Sequence, residues 1–268
     1  MIEIFQYDFM QRAFVVAIII AVIAPCIGTP IVLKRLSAIG DATSHSALAG
    51  IACGLVLGVN PILGAVLFSV LAVLGIEVLR KHFGKYSEIA TVVVMSAGIG
   101  LTAVLSGFIT DGSSNLNSFL FGSIVAIKDF ELYLTIGLGV AVIVISSLLY
   151  RELFFITFDE ESAKLSGVKT GITNLILMLL TAVTVSVASR IVGALMISSL
   201  IVLPVASAMM IAKSYKQTIW YSILLAEIFT VAGLFISYYA DLRPGGTIVL
   251  LGVVFLVVVA TLTVKRRR

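Results

Sequence analysis

Apolar residues run along this chain in long blocks, separated by short polar stretches. The blocks fall at about 12–33, 38–58, 61–79, 89–109, 131–150, 171–189, 191–212, 217–240 and 247–264. A helix needs about 20 apolar residues to cross the hydrocarbon layer with all its backbone groups paired internally. These lengths predict transmembrane helices. A β-barrel would show segments of roughly ten residues in strict alternation, and no such alternation is present. The expected fold class is all-α: a polytopic membrane helix bundle of 8–9 crossings, forming one domain over residues 1–268. The count turns on the second block, whose first half is polar. Nine crossings follow if it spans and eight if it is broken or re-entrant; nine is the expected number.

Composition agrees. The chain is 60% hydrophobic and only 12% charged, with a mean hydropathy of +1.18, more apolar surface than a soluble domain can hide. The net charge of +4 raises the question of nucleic acid, and the placement of the cations answers it. One set of connections and the C-terminal tail hold Lys34, Arg35, Arg80, Lys81, Lys85, Arg151, Lys164, Lys169, Lys213, Lys216, Lys265, Arg266, Arg267 and Arg268. The other set holds Arg12, Lys128, Arg190 and Arg243, so the 18 cations divide fourteen to four. The positive-inside rule then puts the C-terminus in the cytoplasm and the N-terminus outside. The basic surplus marks membrane topology, and no nucleic-acid partner is expected.

Aromatic residues frame the blocks. Trp220 and Tyr221 open one and Tyr238 and Tyr239 close it, a separation of roughly 27 Å on a helix. Tyr133 and Tyr150 frame another. Cys26 and Cys53 both lie inside apolar blocks and read as small packing residues, not a disulfide. Glu3 and Asp8 replace the basic start of a cleavable signal, so the first block is expected to remain. Two connections are longer. "TDGSSNLNS" (110–118) is polar, turn-rich and expected outside. Residues 151–171 are expected in the cytoplasm and carry a short amphipathic stretch. Gly54 and Gly58 form a GxxxG spacing that permits close helix approach.

Few side chains offer chemistry. In "GDATSHSALAG" (40–50), Asp41 and His45 stand at i and i+4. On a helix they share a face, about 6 Å apart along the axis. Carboxylate plus imidazole suits Zn²⁺, and Mn²⁺ or Fe²⁺ less selectively. Flanking small residues leave room for an ion path or a close partner helix. The competing reading makes Asp41 an N-cap and His45 a packing residue near the interface. Glu227, mid-block in "LLAEIFTV", is either a pathway or auxiliary ligand, or a neutralised or locally paired carboxyl. Glu77 precedes Arg80 and Lys81 and predicts a local ion pair. His82, in "RKHFGK", reads as a loop residue. "DEESAKLSGV" (159–168) opens with acids and closes on Gly167, which predicts a short capped helix suited to a protein partner. No GxxxxGK[ST] phosphate loop, HExxH or GxSxG motif is present.

The blocks "LIVLPVASAMM", "PGGTIVLLG", "DEESAKLSG" and above all "VLKRLSAIGDATSHSALAG" resemble the membrane permease of bacterial zinc/manganese/iron ABC importers. The resemblance runs from about Asp8 to the last block. It implies a type II ABC importer-like permease in the bacterial cell membrane, working as a homodimer. Each subunit would dock on one cytoplasmic ATPase, and an extracytoplasmic metal-binding protein would deliver the ion. The chain itself would not be an enzyme and would hold no permanent cofactor. Its cargo would be Zn²⁺ or Mn²⁺, with zinc ahead, and Fe²⁺ as a further ion. Asp41 and His45 match the acid and histidine of the family's metal path. Asp159, Glu160, Glu161, Ala163 and Gly167 match the helix that contacts the ATPase. Within it Glu161, Ser162, Ala163 and Gly167 keep the spacing of a Glu-Ala-Ala-x-x-x-Gly contact motif, with serine second.

One Asp and one His are too few for a four-ligand zinc site. A two-fold dimer would supply two of each, supplemented by water or Glu227. Three alternatives compete: a secondary, ATPase-independent metal transporter with Glu227 carrying protons, a membrane-embedded enzyme, and a structural subunit of a larger complex.

Overall fold

The computed structural model describes residues 6–109, 113–123, 127–189 and 192–267. Its regular elements are helices: α1 (Asp8–Leu33), α2 (Ala38–Leu57), α3 (Pro61–Phe83), α4 (Ser87–Ser106), α5 (Ser113–Phe121), α6 (Asp129–Leu148), α7 (Tyr150–Phe158), α8 (Glu160–Leu165), α9 (Thr170–Ala188), α10 (Ile197–Ile211), α11 (Tyr215–Ala240) and α12 (Pro244–Arg267). Every apolar block became a helix. The long helices run alternately between two ends of one bundle. Contacts at each end fix the alternation. Lys34, after α1, pairs with Glu160 on α8. At the opposite end Arg12 of α1 pairs with Asp129 of α6, and Tyr7 stacks near Tyr238.

Among the described residues, seven helices are long and apolar enough to cross a membrane: α1, α3, α4, α6, α9, α11 and α12. The expected count of 8–9 is not reached, because α2 and α10 fall short for different reasons. α2 is an unbroken 20-residue helix whose polar first half lowers its hydropathy. It can carry most of those polar residues because neighbouring helices cover most of its surface. Thirteen of its residues are buried. The hydroxyls of Thr43, Ser44 and Ser46 donate to carbonyls of their own helix, each at 2.8 Å, so these three buried hydroxyls are paired.

α10 has only 15 residues. The first part of its block, 192–196, is not helical. Buried non-helical backbone needs partners inside the protein, and it has them. Ala194 N–H donates to the Phe119 carbonyl at 2.8 Å and Leu195 N–H to Leu120 at 3.3 Å. These partners belong to α5, so the polar 110–118 connection is partly helix, not turns throughout. Residues 110–112 lie outside the described set.

Packing depends on backbone approach. A Cβ on Gly50 would collide with the carbonyl of Gly64, and one on Gly64 with that of Gly50, so α2 and α3 cross glycine to glycine. The Gly54–Gly58 pair does not do this as a unit. Gly54 faces Pro61, whereas Gly58 ends α2 at φ +68° with open space around it. Trp220, Tyr221, Tyr239, Tyr133 and Tyr150 all face outward, as interfacial anchors should. Cys26 and Cys53 are free and half-buried.

Candidate metal site

α2 runs from the α8 end into the bundle. Its fifth to ninth residues lie level with the middles of longer neighbours. Ser69, near the middle of α3, donates to the Thr43 carbonyl at 3.3 Å and accepts from Ser186 of α9 at 3.0 Å. Gly98, the twelfth of the 20 residues of α4, abuts the backbone of His45 and Ser46. A Cβ there would lie 2.9 Å from Ser46 N and 3.0 Å from the His45 carbonyl carbon. The turn between α1 and α2 lies at the α8 end, where Arg35, Leu36 and Ile39 share a cavity with Arg80 and Glu88, and the helix carries Asp41 and then His45 from there toward the level of Ser69 and Gly98.

The N-cap reading of Asp41 does not hold. Ser37 occupies the N-cap of α2, without a side-chain cap bond, and Asp41 is the fourth residue of the helix. Asp41 is exposed and His45 half-buried on one flank of the bundle. Among the described residues the Asp41 carboxylate has one donor: Ser198 Oγ, on the second residue of α10, donates to Oδ1. Gly40 lies alongside, its Cβ position 3.5 Å from Ser198 Cβ, an ordinary contact distance. The N-terminus of α10 thus faces a carboxylate, the charge its dipole favours. Ser198 was not singled out from the sequence; the serine pair opening α10 was its only signal.

Glu227 is half-buried in α11. Among the described residues no three His, Cys, Asp or Glu side chains come together, so Glu227 does not join Asp41 and His45 within one subunit. Glu77 forms a 3.8 Å pair with Lys81 inside α3, as expected. His82 lies in the last turn of α3, exposed.

The predicted capped helix at 159–168 is α8. Asp159 is its N-cap, accepting from Ser162 N at 2.9 Å and from the Ser162 hydroxyl at 2.5 Å. Both bonds hold the Asp159 carboxyl below its ordinary pKa of 3.8. Gly167 closes the helix at φ +87° with nothing near its Cβ position, so its role is conformational. Glu161 is exposed, but Ala163 is fully buried against its own subunit, among Ile27, Leu153, Ile156 and Leu177. A small residue there lets α8 lie flat on the bundle. Glu160 turns inward as well, to Lys34. Leu165, which sequence reading passed over, is 89% exposed at the tip.

The ABC 3 transport family matches residues 6–263. The chain belongs to this family. Family membership accounts for the helical bundle and its multi-span membrane character. A "Probable metal transport system membrane protein" of Treponema pallidum (strain Nichols) is 34% identical over 260 residues, covering 96% of this chain and 97% of the relative. The "Manganese import system permease protein ScaB" of Streptococcus parasanguinis is 33% identical over 263 residues, covering 98% and 94%. Among solved structures, PsaBC from Streptococcus pneumoniae in complex with Fab superposes with a TM-score of 0.85 at 30% identity, covering 96% of this chain and 92% of that one. As a member of a family of metal ABC transporter permeases, this chain is a permease subunit.

Proposed function

We propose that the chain is the membrane subunit of an ATP-driven importer of divalent transition-metal ions, with Asp41 and His45 lining the ion's path. One observation carries this reading: Asp41 is an exposed carboxylate on the bundle flank with a histidine one helical turn away, on a stretch of α2 that contacts Ser69 of α3 and Gly98 of α4. A charged side chain facing lipid inside the bilayer costs up to roughly 2.5–3.5 kcal/mol. A second copy of the chain placed over this flank removes that cost and brings two aspartates and two histidines to one axis. The resulting N₂O₂ set is short of strong chelation, as transit requires. α2 and α10 then complete nine crossings, shielded from lipid by their neighbours and the second subunit.

The cargo is manganese first. Zinc was expected ahead, but the relatives named for a metal are named for manganese, and a carboxylate–imidazole set accepts either ion. ATP hydrolysis belongs to a separate cytoplasmic subunit. Glu161 and the exposed Leu165 and Phe158 at the α8 end offer it a docking surface. That end carries most of the basic residues, which supports a cytoplasmic orientation for it and for the C-terminus. An extracytoplasmic metal-binding protein delivers the ion to the opposite face.

The test is ⁵⁴Mn²⁺ uptake into proteoliposomes holding the permease and its ATPase. Uptake should require ATP and fall to background in Asp41→Asn and His45→Ala. Wild-type uptake by both variants, with assembly intact, would overturn the assignment.

A further inference from the structure

The α8 end holds a closed ring of three side chains from three separate elements. Lys34 Nζ lies 2.9 Å from Glu160 Oε2 and donates to Asn174 Oδ1 at 2.7 Å. Asn174 Nδ2 donates to the other Glu160 oxygen at 2.7 Å. Lys34 follows α1, Glu160 opens α8 and Asn174 lies in the first turns of α9, so contacts 126 and 140 residues apart in sequence meet at one ammonium. The Lys34 side chain is only 10% exposed. A cation so enclosed is held firmly by its partners, because losing one leaves a buried charge.

Beside the ring is a cavity of about 440 Å³, lined by Lys34, Glu77, Arg80, Lys81, Glu160 and Asn174. The space between α8 and α3 is therefore not filled with side chains. On that side α8 is tied to the bundle by the ring. Its other attachment, Ala163, packs into an apolar cluster with residues of α1, α6, α7 and α9, against which Leu36 of the α1–α2 turn also packs; the ring is the polar link to the same turn.

Beyond Lys34 the chain is stiff. Lys34 N–H donates to Pro30, Arg35 to Val32 and Leu36 to Ile31, with Arg35 at φ +59°. Ile39 then donates to Leu36 and Gly40 to Ser37. The next residue is Asp41. We propose that Lys34, Glu160 and Asn174 are positioning residues that carry movement of α8 through the α1–α2 turn to Asp41. The inference rests on the reading of α8 as the ATPase contact.

The experiment compares metal moved per ATP hydrolysed in proteoliposomes, together with copurification of the ATPase. Lys34→Met should keep the ATPase bound and its hydrolysis near wild type, while metal per ATP falls by about fivefold, the scale on which changes along coupling elements act. Glu160→Gln, which keeps shape and the Lys34–Asn174 bond, should lose less. Lys34→Arg and the exchanged pair Lys34→Glu/Glu160→Lys should recover most of the ratio. An unchanged ratio in both Lys34→Met and Glu160→Gln overturns the proposal. So does loss of ATPase binding in those variants, which would make the ring a docking element. Failure of the wild-type chain to retain an ATPase would instead overturn the underlying reading of α8, and is seen in the wild-type control alone.

Discussion

The hydroxyl of Ser198 donates to the carboxylate of Asp41, joining the start of α10 to the fourth residue of α2. The two residues are 157 positions apart. Asp41 is exposed, and this bond helps decide which way its carboxylate points, leaving Oδ2 without a donor among the described residues.

Ser198→Ala should therefore weaken transport without abolishing it. A hydrogen bond to a charged group contributes about 1.5–3 kcal/mol when buried. Asp41 is exposed, so the lower end applies, and the manganese concentration for half-maximal uptake should rise by about tenfold or less. Asp41→Asn, which removes the charge, should cost far more. Concentration-dependent ⁵⁴Mn²⁺ uptake by the two variants measures the difference. Equal loss in both would mean that Ser198 acts as more than an orienting donor.

Glycines on α4 give a paired test of the packing behind His45. Gly98 has no room for a methyl, with Ser46 N 2.9 Å from its Cβ position, whereas Gly100 has open space. Gly98→Ala should lower thermal stability in detergent by about 1–3 kcal/mol, the usual range for overpacking, and reduce uptake by moving α2. Gly100→Ala should leave stability level or raise it slightly, since alanine is the better helix former.

Much of this was legible in the sequence because the controlling forces are local. Block length and the absence of alternation specify a helical membrane bundle whatever the tertiary details. The cap of α8 is equally local: Asp159, Ser162 and Gly167 lie within nine positions. The packing of α2 was not legible. It depends on Gly98, Ser69 and Gly64 presenting bare backbone or a hydroxyl at matching depth, and nothing in α2 itself encodes those partners. The Lys34–Glu160–Asn174 ring was hidden for the same reason, and so was the inward face of Ala163. The shortening of α10 depends on α5 folding back to pair with residues 194 and 195, which hydropathy does not register.

The cap of α8 predicts a pH response of definite sign. The Asp159 pKa is lowered in the folded state by its bonds from Ser162. A lowered carboxyl contributes stability above its unfolded pKa and loses it as pH falls through the folded value. Amide protection in α8 should thus be constant across neutral pH and decline only in acid, below the ordinary value of 3.8. Asp159→Asn keeps a good capping acceptor and should retain the protection without the acid decline. Asp159→Ala should lose it at all pH values. Hydrogen exchange of residues 161–166 reads all three.

Glu227 separates the importer from a proton-coupled transporter. A secondary transporter needs a titrating residue in its path, and Glu227 is the intramembrane carboxyl of α11 best placed in sequence for that task. In the structure it does not gather with Asp41 and His45. If ATP drives the ion, the charge on Glu227 is dispensable. Glu227→Gln, which keeps size and hydrogen bonding, should then leave ATP-dependent manganese uptake within about twofold of wild type, a change of only a few tenths of a kcal/mol. If protons drive the ion, the same substitution abolishes uptake, and a pH gradient replaces ATP in the wild type. Uptake by this variant measured with ATP alone, with a pH gradient alone and with neither distinguishes the two. Loss of uptake in Glu227→Gln together with gradient-driven, vanadate-insensitive transport by the wild type would sink the importer reading.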